Sequence, residues 1–166
     1  VGMSVEHIGF AVFLIGIGTT STTSVDRDVR MEAQGIAAIG HYEVRFLGTK
    51  EIEEVNYHAT QGVFLISEKS DVFELRAEKR RYKSGGAIMT EAAIKPGLFS
   101  DMYISLGDPI DIGTGVWAVR LQWKPFVRWI WFGAILMALG GLISVLRLEL
   151  SRSFFWRARQ PDDPGD

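Results

Sequence analysis

The 166-residue chain contains no cysteine, so it carries neither a disulfide nor a thiolate metal ligand. That is compatible with an oxidising compartment, where a cysteine-free domain avoids unwanted pairing. Charge of one sign is not in surplus either. Eighteen Lys and Arg against twenty Asp and Glu leave a net charge of −2, and a pI near 6.0 gives no electrostatic case for nucleic acid. No Gly-rich phosphate loop, CxxC pair, HExxH or GxSxG motif occurs, so ordinary hydrolytic or nucleotide-dependent chemistry has no foothold. There is no internal repeat. The one biased segment is the tail RQPDDPGD, residues 159–166, whose composition predicts disorder.

What is present is led by WAVRLQWKPFVRWIWFGAILMALGGLISVLR, Trp117 to Arg147. It reads as an alternating strand, a Lys-Pro break, an aromatic collar and then an apolar helix. Between Phe126 and Leu146 the only charge is Arg128, and about 20 apolar residues suffice to cross ~30 Å of hydrocarbon. A transmembrane helix is therefore expected over 126–147. Trp123, Phe126, Trp129, Trp131 and Phe132 crowd its first turns, as aromatic rings do at a headgroup boundary, with Lys124 and Arg128 reaching back toward water. Arg147, Arg152, Arg157 and Arg159 follow it, so the positive-inside rule makes 148–166 a basic, then disordered, cytoplasmic tail. Ala134, Ala138 and Gly141 form a small-residue stripe, with Gly133, Gly140 and Ser144 alongside, which suggests packing within a larger bundle.

The N-terminal segment VGMSVEHIGFAVFLIGIG is a second apolar run, but it lacks the basic start and small-residue cleavage site of a signal peptide. Residues 1–19 read as the distal part of a membrane helix that begins upstream, and the chain as a fragment or one product of a split protein. Leaving the membrane after Gly18 would put 25–123 outside the cytoplasm, so both crossings agree on one topology. That segment has the period of strands. His41 to Leu47, Ala59 to Ser67, Asp71 to Arg76, Ser100 to Leu106 and Val116 to Trp123 alternate apolar and polar residues, the last with Trp117, Val119, Leu121 and Trp123 on one face. Glycines punctuate them at turn-like spacings. The predicted fold class is an α + β membrane protein: a small antiparallel β domain, sandwich or barrel, between two transmembrane helices. Besides the termini, only Ala92 to Ile94 looks helical.

In order, GMxxxHIGxAVFxIGI, Asn56-Tyr57, AEKRRY (Ala77 to Tyr82), MTEAAI (Met89 to Ile94), DMYISLGDP (Asp101 to Pro109) and WAVRLQWKPFVRWIWFGAILMALGGLIS resemble the C-terminal part of CcmF-type cytochrome c haem lyase subunits. The likeness runs from Gly2 to Arg147. It implies a multi-pass component of cytochrome c maturation in a bacterial inner membrane, or its mitochondrial counterpart, with the β domain in the periplasm. Implied partners are a haem chaperone of the holo-CcmE type, apocytochrome c, a CcmH-type thioreductase subunit and the upstream part of the same lyase. The family's WWD haem-handling loop and its flanking external histidines do not appear here, so the chain is not expected to attach haem to CxxCH thiols by itself. It also departs locally, with Glu54-Val55 where the family tends to Gly-Pro and Ala77 where it tends to Pro.

Residue by residue, the sharpest expectation falls on His7. An imidazole in an apolar helix is costly unless engaged, and it is a good axial ligand for haem iron. His7 also matches the family position for a b-type haem whose second ligand comes from an upstream helix outside this chain. Gly2 and Gly9 would give the macrocycle room; the alternative is a polar contact with Glu6 or a neighbouring helix. His41 and His58, each beside a Tyr, read as exposed strand histidines. Glu78, Lys79, Arg80 and Arg81 read either as a charged docking edge for a partner or as a solvated sheet edge guarded by Lys and Arg. Thr90-Glu91 and Asp101 to Tyr103 are given a packing or hydrogen-bonding role, and no general acid and base pair can be argued. Two functions follow: a haem lyase component with haem at His7, or a membrane-anchored β-domain scaffold or docking module without cofactor.

Overall fold

The computed structural model describes residues 2–157 except Ser70 and Ile112, with the backbone course alone for 148–157. The side chains of Arg152 and Arg157, and the whole of 158–166, lie outside the described residues, and with them most of the arginine-rich tail. The chain divides into two compact units, one of residues up to Gly18 together with those from Val127 onward, the other Thr19–Phe126.

In the first unit, α1 (Gly2–Thr23) and α2 (Val127–Arg157) are the two helices. α1, at 22 residues, and the 21-residue stretch Val127–Arg147 of α2 are each long and apolar enough to cross a membrane. Gly2, Gly9 and Gly16 are the buried residues of α1. They recur every seven positions, and so do Gly133 and Gly140 on α2, a period that keeps one stripe facing a partner helix. The backbones touch along this seam. A methyl carbon built on Gly9 would stand 2.7 Å from Met137 N, one on Gly133 2.5 Å from Phe13 N, and one on Gly140 2.6 Å from Glu6 N. Gly2 faces Gly140 and Ser144 while Gly16 faces Ile130, so the helices run antiparallel.

α2 meets α1 through Gly133, Gly140 and Ser144, the small residues expected alongside Ala134, Ala138 and Gly141; a methyl carbon built on Gly141 would meet nothing within 4 Å. One residue is a 100° rotation on a helix, so the Ala134, Ala138 and Gly141 stripe is turned off this seam. One expectation is corrected here. Gly2 and Gly9 are used up in this packing and so give no room for a macrocycle.

The second unit is a two-sheet antiparallel sandwich. Its strands are β1 (Val25–Met31), β2 (Ile36–Ile39), β3 (Tyr42–Glu53), β4 (Tyr57–Glu68), β5 (Asp71–Tyr82), β6 (Met89–Glu91), β7 (Ala93–Lys95), β8 (Ser100–Asp111) and β9 (Val116–Pro125). One sheet has the order β1-β9-β8-β7 and the other β2-β3-β4-β5-β6. Strict alternation builds the core: Tyr42, Val44 and Phe46 of β3 point in while Glu43, Arg45 and Leu47 point out. Opposite them Met102, Ile104 and Leu106 of β8 and Val119 and Leu121 of β9 close the layer, with Trp117 and Trp123 packed at its margin. Phe46 and Phe64 stack at its centre, ring centroids 5.0 Å apart. A bulge between Phe46 and Gly48 bends β3, and Gly48 takes a φ of 117° that a side chain would resist.

The five predicted strands lie within or nearly within β3, β4, β5, β8 and β9. Ala92 to Ile94 is not helical: Ala93 opposes Ile104 and Ile94 opposes Tyr103, so sheet pairing overrides the helix propensity of alanine. His41 precedes β3 in the turn after Gly40 instead of lying in a strand.

Candidate functional site

On α1, the face opposite the glycine seam carries Met3, His7, Phe10 and Leu14, at the spacing i, i+4, i+7, i+11 that aligns side chains along one stripe. All four are exposed, Met3 by 68% and Phe10 by 52%. His7 Nδ1 donates to the carbonyl of Met3 at 2.7 Å, one turn earlier. A carbonyl can only accept, so this bond places the ring proton on Nδ1 and leaves the Nε2 lone pair outward. Metal-ligating histidines are commonly oriented this way, the second nitrogen held by a carbonyl. The neighbouring apolar side chains suit a flat hydrophobic group. The stripe is compatible with a haem: it offers two side chains able to ligate iron, the His7 Nε2 and the Met3 thioether, among the apolar Phe10 and Leu14. The expected alternative partner, Glu6, is not the group that holds the ring.

Of the run Glu78 to Arg81, the first three residues do not form an edge. β5 is flanked by β4 on one side and β6 on the other, with Glu78 opposite Glu91, Lys79 opposite Thr90 and Arg80 opposite Met89. Nor does the run act as one patch, because successive strand residues point to opposite faces. Glu78 and Arg80 lie on the outer face, where Gln61 Nε2 donates to Glu78 Oε1 at 2.6 Å, Arg80 Nε donates to Glu78 Oε2 at 2.8 Å, and the guanidinium lies 4.8 Å from the Tyr57 ring. Burial pushes the Glu78 carboxyl up, but the bonds from Arg80 and Gln61 and the nearby positive charges outweigh it and hold it below the usual value.

Lys79 and Arg81 continue the inner row beyond core residue Ala77, and Lys79 is ion-paired with Asp108 of the facing sheet. They line a cleft of about 270 Å³ with Glu51, His58, Ala59, Thr60 and Ile88. Thr60 donates to Glu51 at 2.8 Å, and His58 stands 3.8 Å from Glu53, which also accepts from Lys83 at 3.1 Å. The Lys83 bond and charge, and then the charge of His58, keep the Glu53 carboxyl low. Such a cleft can bind a polar or charged group through paired ions. Among the described residues, no three His, Asp or Glu side chains come together as a metal-holding group.

A further polar cluster escaped the sequence. His41 Nε2 stands 3.0 Å from Glu68 Oε1, while Lys95 Nζ donates to Glu68 Oε2 at 2.7 Å and lies 3.7 Å from the Phe73 ring centroid. The three residues come from a turn and two strands of different sheets, so no local spacing announces them. Asp101, expected to pack or hydrogen-bond, is buried and accepts from the Gly97 N–H at 2.9 Å. Glu91 lies 3.7 Å from Arg80.

Comparison with known proteins gives these features a family. The model described as the CcmF C-terminal beta-sandwich matches residues 22–125. The cytochrome c-type biogenesis protein CcmF of Escherichia coli strain K12 is 45% identical over 145 residues, 86% of this chain and 22% of that protein. Its namesake in Pseudomonas aeruginosa is 42% identical over 146 residues, 87% of this chain and 22% of that protein. The chain thus spans about a fifth of the length of these relatives. A solved structure, "Cytochrome c Heme Lyase CcmF", shares the fold with a TM-score of 0.69 over 85% of this chain and 23% of that one, at 18% identity. With the family model covering most of its length and the apolar helices before and after the sandwich in the sequence, the chain belongs to the CcmF family, of which it holds the C-terminal β-sandwich region.

Proposed function

We propose that this chain serves cytochrome c maturation as the C-terminal part of a haem lyase. α1 and α2 cross a bacterial inner membrane, and the sandwich stands in the periplasm, where it positions a CcmE-type haem chaperone, apocytochrome c or a CcmH-type thioreductase against the upstream part of the lyase. His7 is an axial ligand of a b-type haem in the membrane, the second ligand coming from an upstream helix. Bound there, the haem supplies iron redox chemistry. The protein's contribution is orientation: the Met3 carbonyl fixes the imidazole, and Met3, Phe10 and Leu14 keep its surroundings apolar. The observation that carries this reading is the outward Nε2 of His7 on a face that the helix pairing leaves open.

On the sandwich, the cleft beside Lys79 and Arg81 is the docking surface, with Glu78 and Arg80 building the sheet behind it. The test is the reduced-minus-oxidised absorption spectrum of the detergent-purified protein, isolated with its membrane partners, beside a His7→Ala variant. Loss of the b-type signal in the variant is expected. Retention of full haem content would refute ligation by His7 and leave a docking module with two membrane anchors.

A further inference from the structure

The segment between β7 and β8, Pro96-Gly97-Leu98-Phe99, lies at the end of the sandwich that carries that unit's own termini. Leu98 and Phe99 are 66% and 57% exposed there. The loop is rigid for its size. The Gly97 N–H is held by buried Asp101, and any side chain at position 97 would run into the Ser100 carbonyl. It is also tied to the last residues of the unit. Phe126 N–H donates to the Phe99 carbonyl at 2.8 Å, the two rings meet edge-on with centroids 5.9 Å apart, and Ser100 opposes Pro125 in the ladder. The Thr20 hydroxyl donates to the carbonyl of that same Pro125 at 2.7 Å. Phe126 is held at a φ of 59°, a left-handed conformation that a bulky residue adopts only when its surroundings impose it. The residue after Phe126 is Val127, the first of the apolar stretch of α2. Residue 99 is thus hydrogen-bonded to the residue that precedes that stretch in the chain. Around the loop stand Lys124, 5.4 Å from the Tyr103 ring, and Lys95, the amphipathic cations and aromatics that favour a headgroup layer.

We infer that the 96–99 loop seats Leu98 and Phe99 in the outer boundary of the bilayer that α1 and α2 cross. The sandwich is then fastened to lipid at a third point, which restrains its tilt over the membrane in a way two flanking chain segments cannot. The partner is the lipid surface itself: acyl chains for Leu98 and Phe99, phosphates for Lys124. The inference rests on the reading that α2 spans the membrane.

Because the chain has no cysteine, single nitroxide labels can be placed by Leu98→Cys, Phe99→Cys, Val55→Cys and Leu139→Cys, with any cysteine elsewhere in the protein replaced. The protein is reconstituted in vesicles of equal parts phosphatidylethanolamine and phosphatidylglycerol, and electron spin resonance saturation measures access of oxygen, which concentrates in lipid, and of a water-soluble nickel chelate. Leu139 reports the span of α2, and Val55, 95% exposed at the β3–β4 turn, reports water. The labels at 98 and 99 should be richer in oxygen than in chelate, on the side of Leu139 and opposite to Val55. Chelate-rich signals at 98 and 99 with an oxygen-rich 139 would overturn the lipid contact alone, as would labels at 98 and 99 shielded from both reagents, the mark of a covering protein. A chelate-rich 139 would overturn the membrane reading beneath it.

Discussion

Replacing Gly133 by alanine should drive α1 and α2 apart, and the cost can be worked from the seam. The new methyl carbon would stand 2.5 Å from Phe13 N and 2.7 Å from the Gly9 carbonyl oxygen. Non-bonded carbon atoms settle at about 3.5 Å or more, so the helices must part by roughly 1 Å at this level. Both obstructing atoms are backbone, so no side chain can swing away to absorb the change. A gap of that size forfeits a quarter to a half of each contact it opens, each worth about 0.1–0.2 kcal/mol. Over the roughly 40 contacts a buried side chain's worth of seam contains, the loss is about 2 kcal/mol. Gly141→Ala is the matched control: same helix, same substitution, nothing within 4 Å of the new carbon. Alanine's helix propensity, up to about 1 kcal/mol over glycine, is gained by both variants and cancels in their comparison. The measurement is reversible unfolding in mixed micelles as the fraction of dodecyl sulfate rises, followed by the emission of Trp129 and Trp131 at the start of α2. Gly133→Ala should unfold at a clearly lower fraction than Gly141→Ala. Equal midpoints would show that the glycine seam does not govern the pairing of these helices.

Two expectations concern the sandwich. Phe46→Ala and Phe64→Ala should each lose about 3–5 kcal/mol, because both rings are fully buried and the sheets cannot collapse onto the void; urea denaturation checks this, and since the rings stack on one another the double variant should lose less than the sum. Glu68→Gln should weaken the sandwich at about pH 7 but hardly at about pH 2. The Lys95 hydrogen bond, opposed by burial and aided by the charges of Lys95 and His41, holds the Glu68 carboxyl below its ordinary value of 4.5. A depressed folded pKa stabilises above the unfolded pKa, and that stabilisation is lost as pH falls through the folded one. A pH-independent loss on denaturation at the two pH values would mean that the ion cluster contributes nothing through its charge.

The strands that sequence alternation reveals are those with one face in the core: β3, β8 and β9 read cleanly because Val44, Ile104 and Leu121 are wholly buried while their neighbours meet water. β1 stayed hidden because it is an edge strand in which Met31 alone is fully buried; its pairing with β9 is long-range and leaves no local trace. β6 and β7 have three residues each, too few to show a period, and Ala92-Ala93 pulled the reading toward helix. Apolar length marked both membrane helices but not which way their faces turn, since in lipid every side of a helix is hydrophobic. The seven-residue recurrence of Gly2, Gly9 and Gly16 was the usable signal for the seam. For His7 the sequence supplied the residue and the structure supplied its tautomer. The Glu68 cluster, assembled across two sheets, was legible in neither spacing nor composition.

The placement of β1 beside β9 has a consequence for biosynthesis. Among the described residues β9 is β1's one neighbour in its sheet, and Asp28 and Arg120, joined across that pair at 2.7 Å, are 92 positions apart in the chain. At 5–20 residues per second, β1 waits about 5–20 s for its partner to be made. Four charged residues in seven, Asp26, Arg27, Asp28 and Arg30, keep that waiting strand soluble and unattractive to other exposed strands. β9 then arrives one residue ahead of α2, so closing the sheet and delivering α2 to the membrane become neighbouring events on the ribosome's clock.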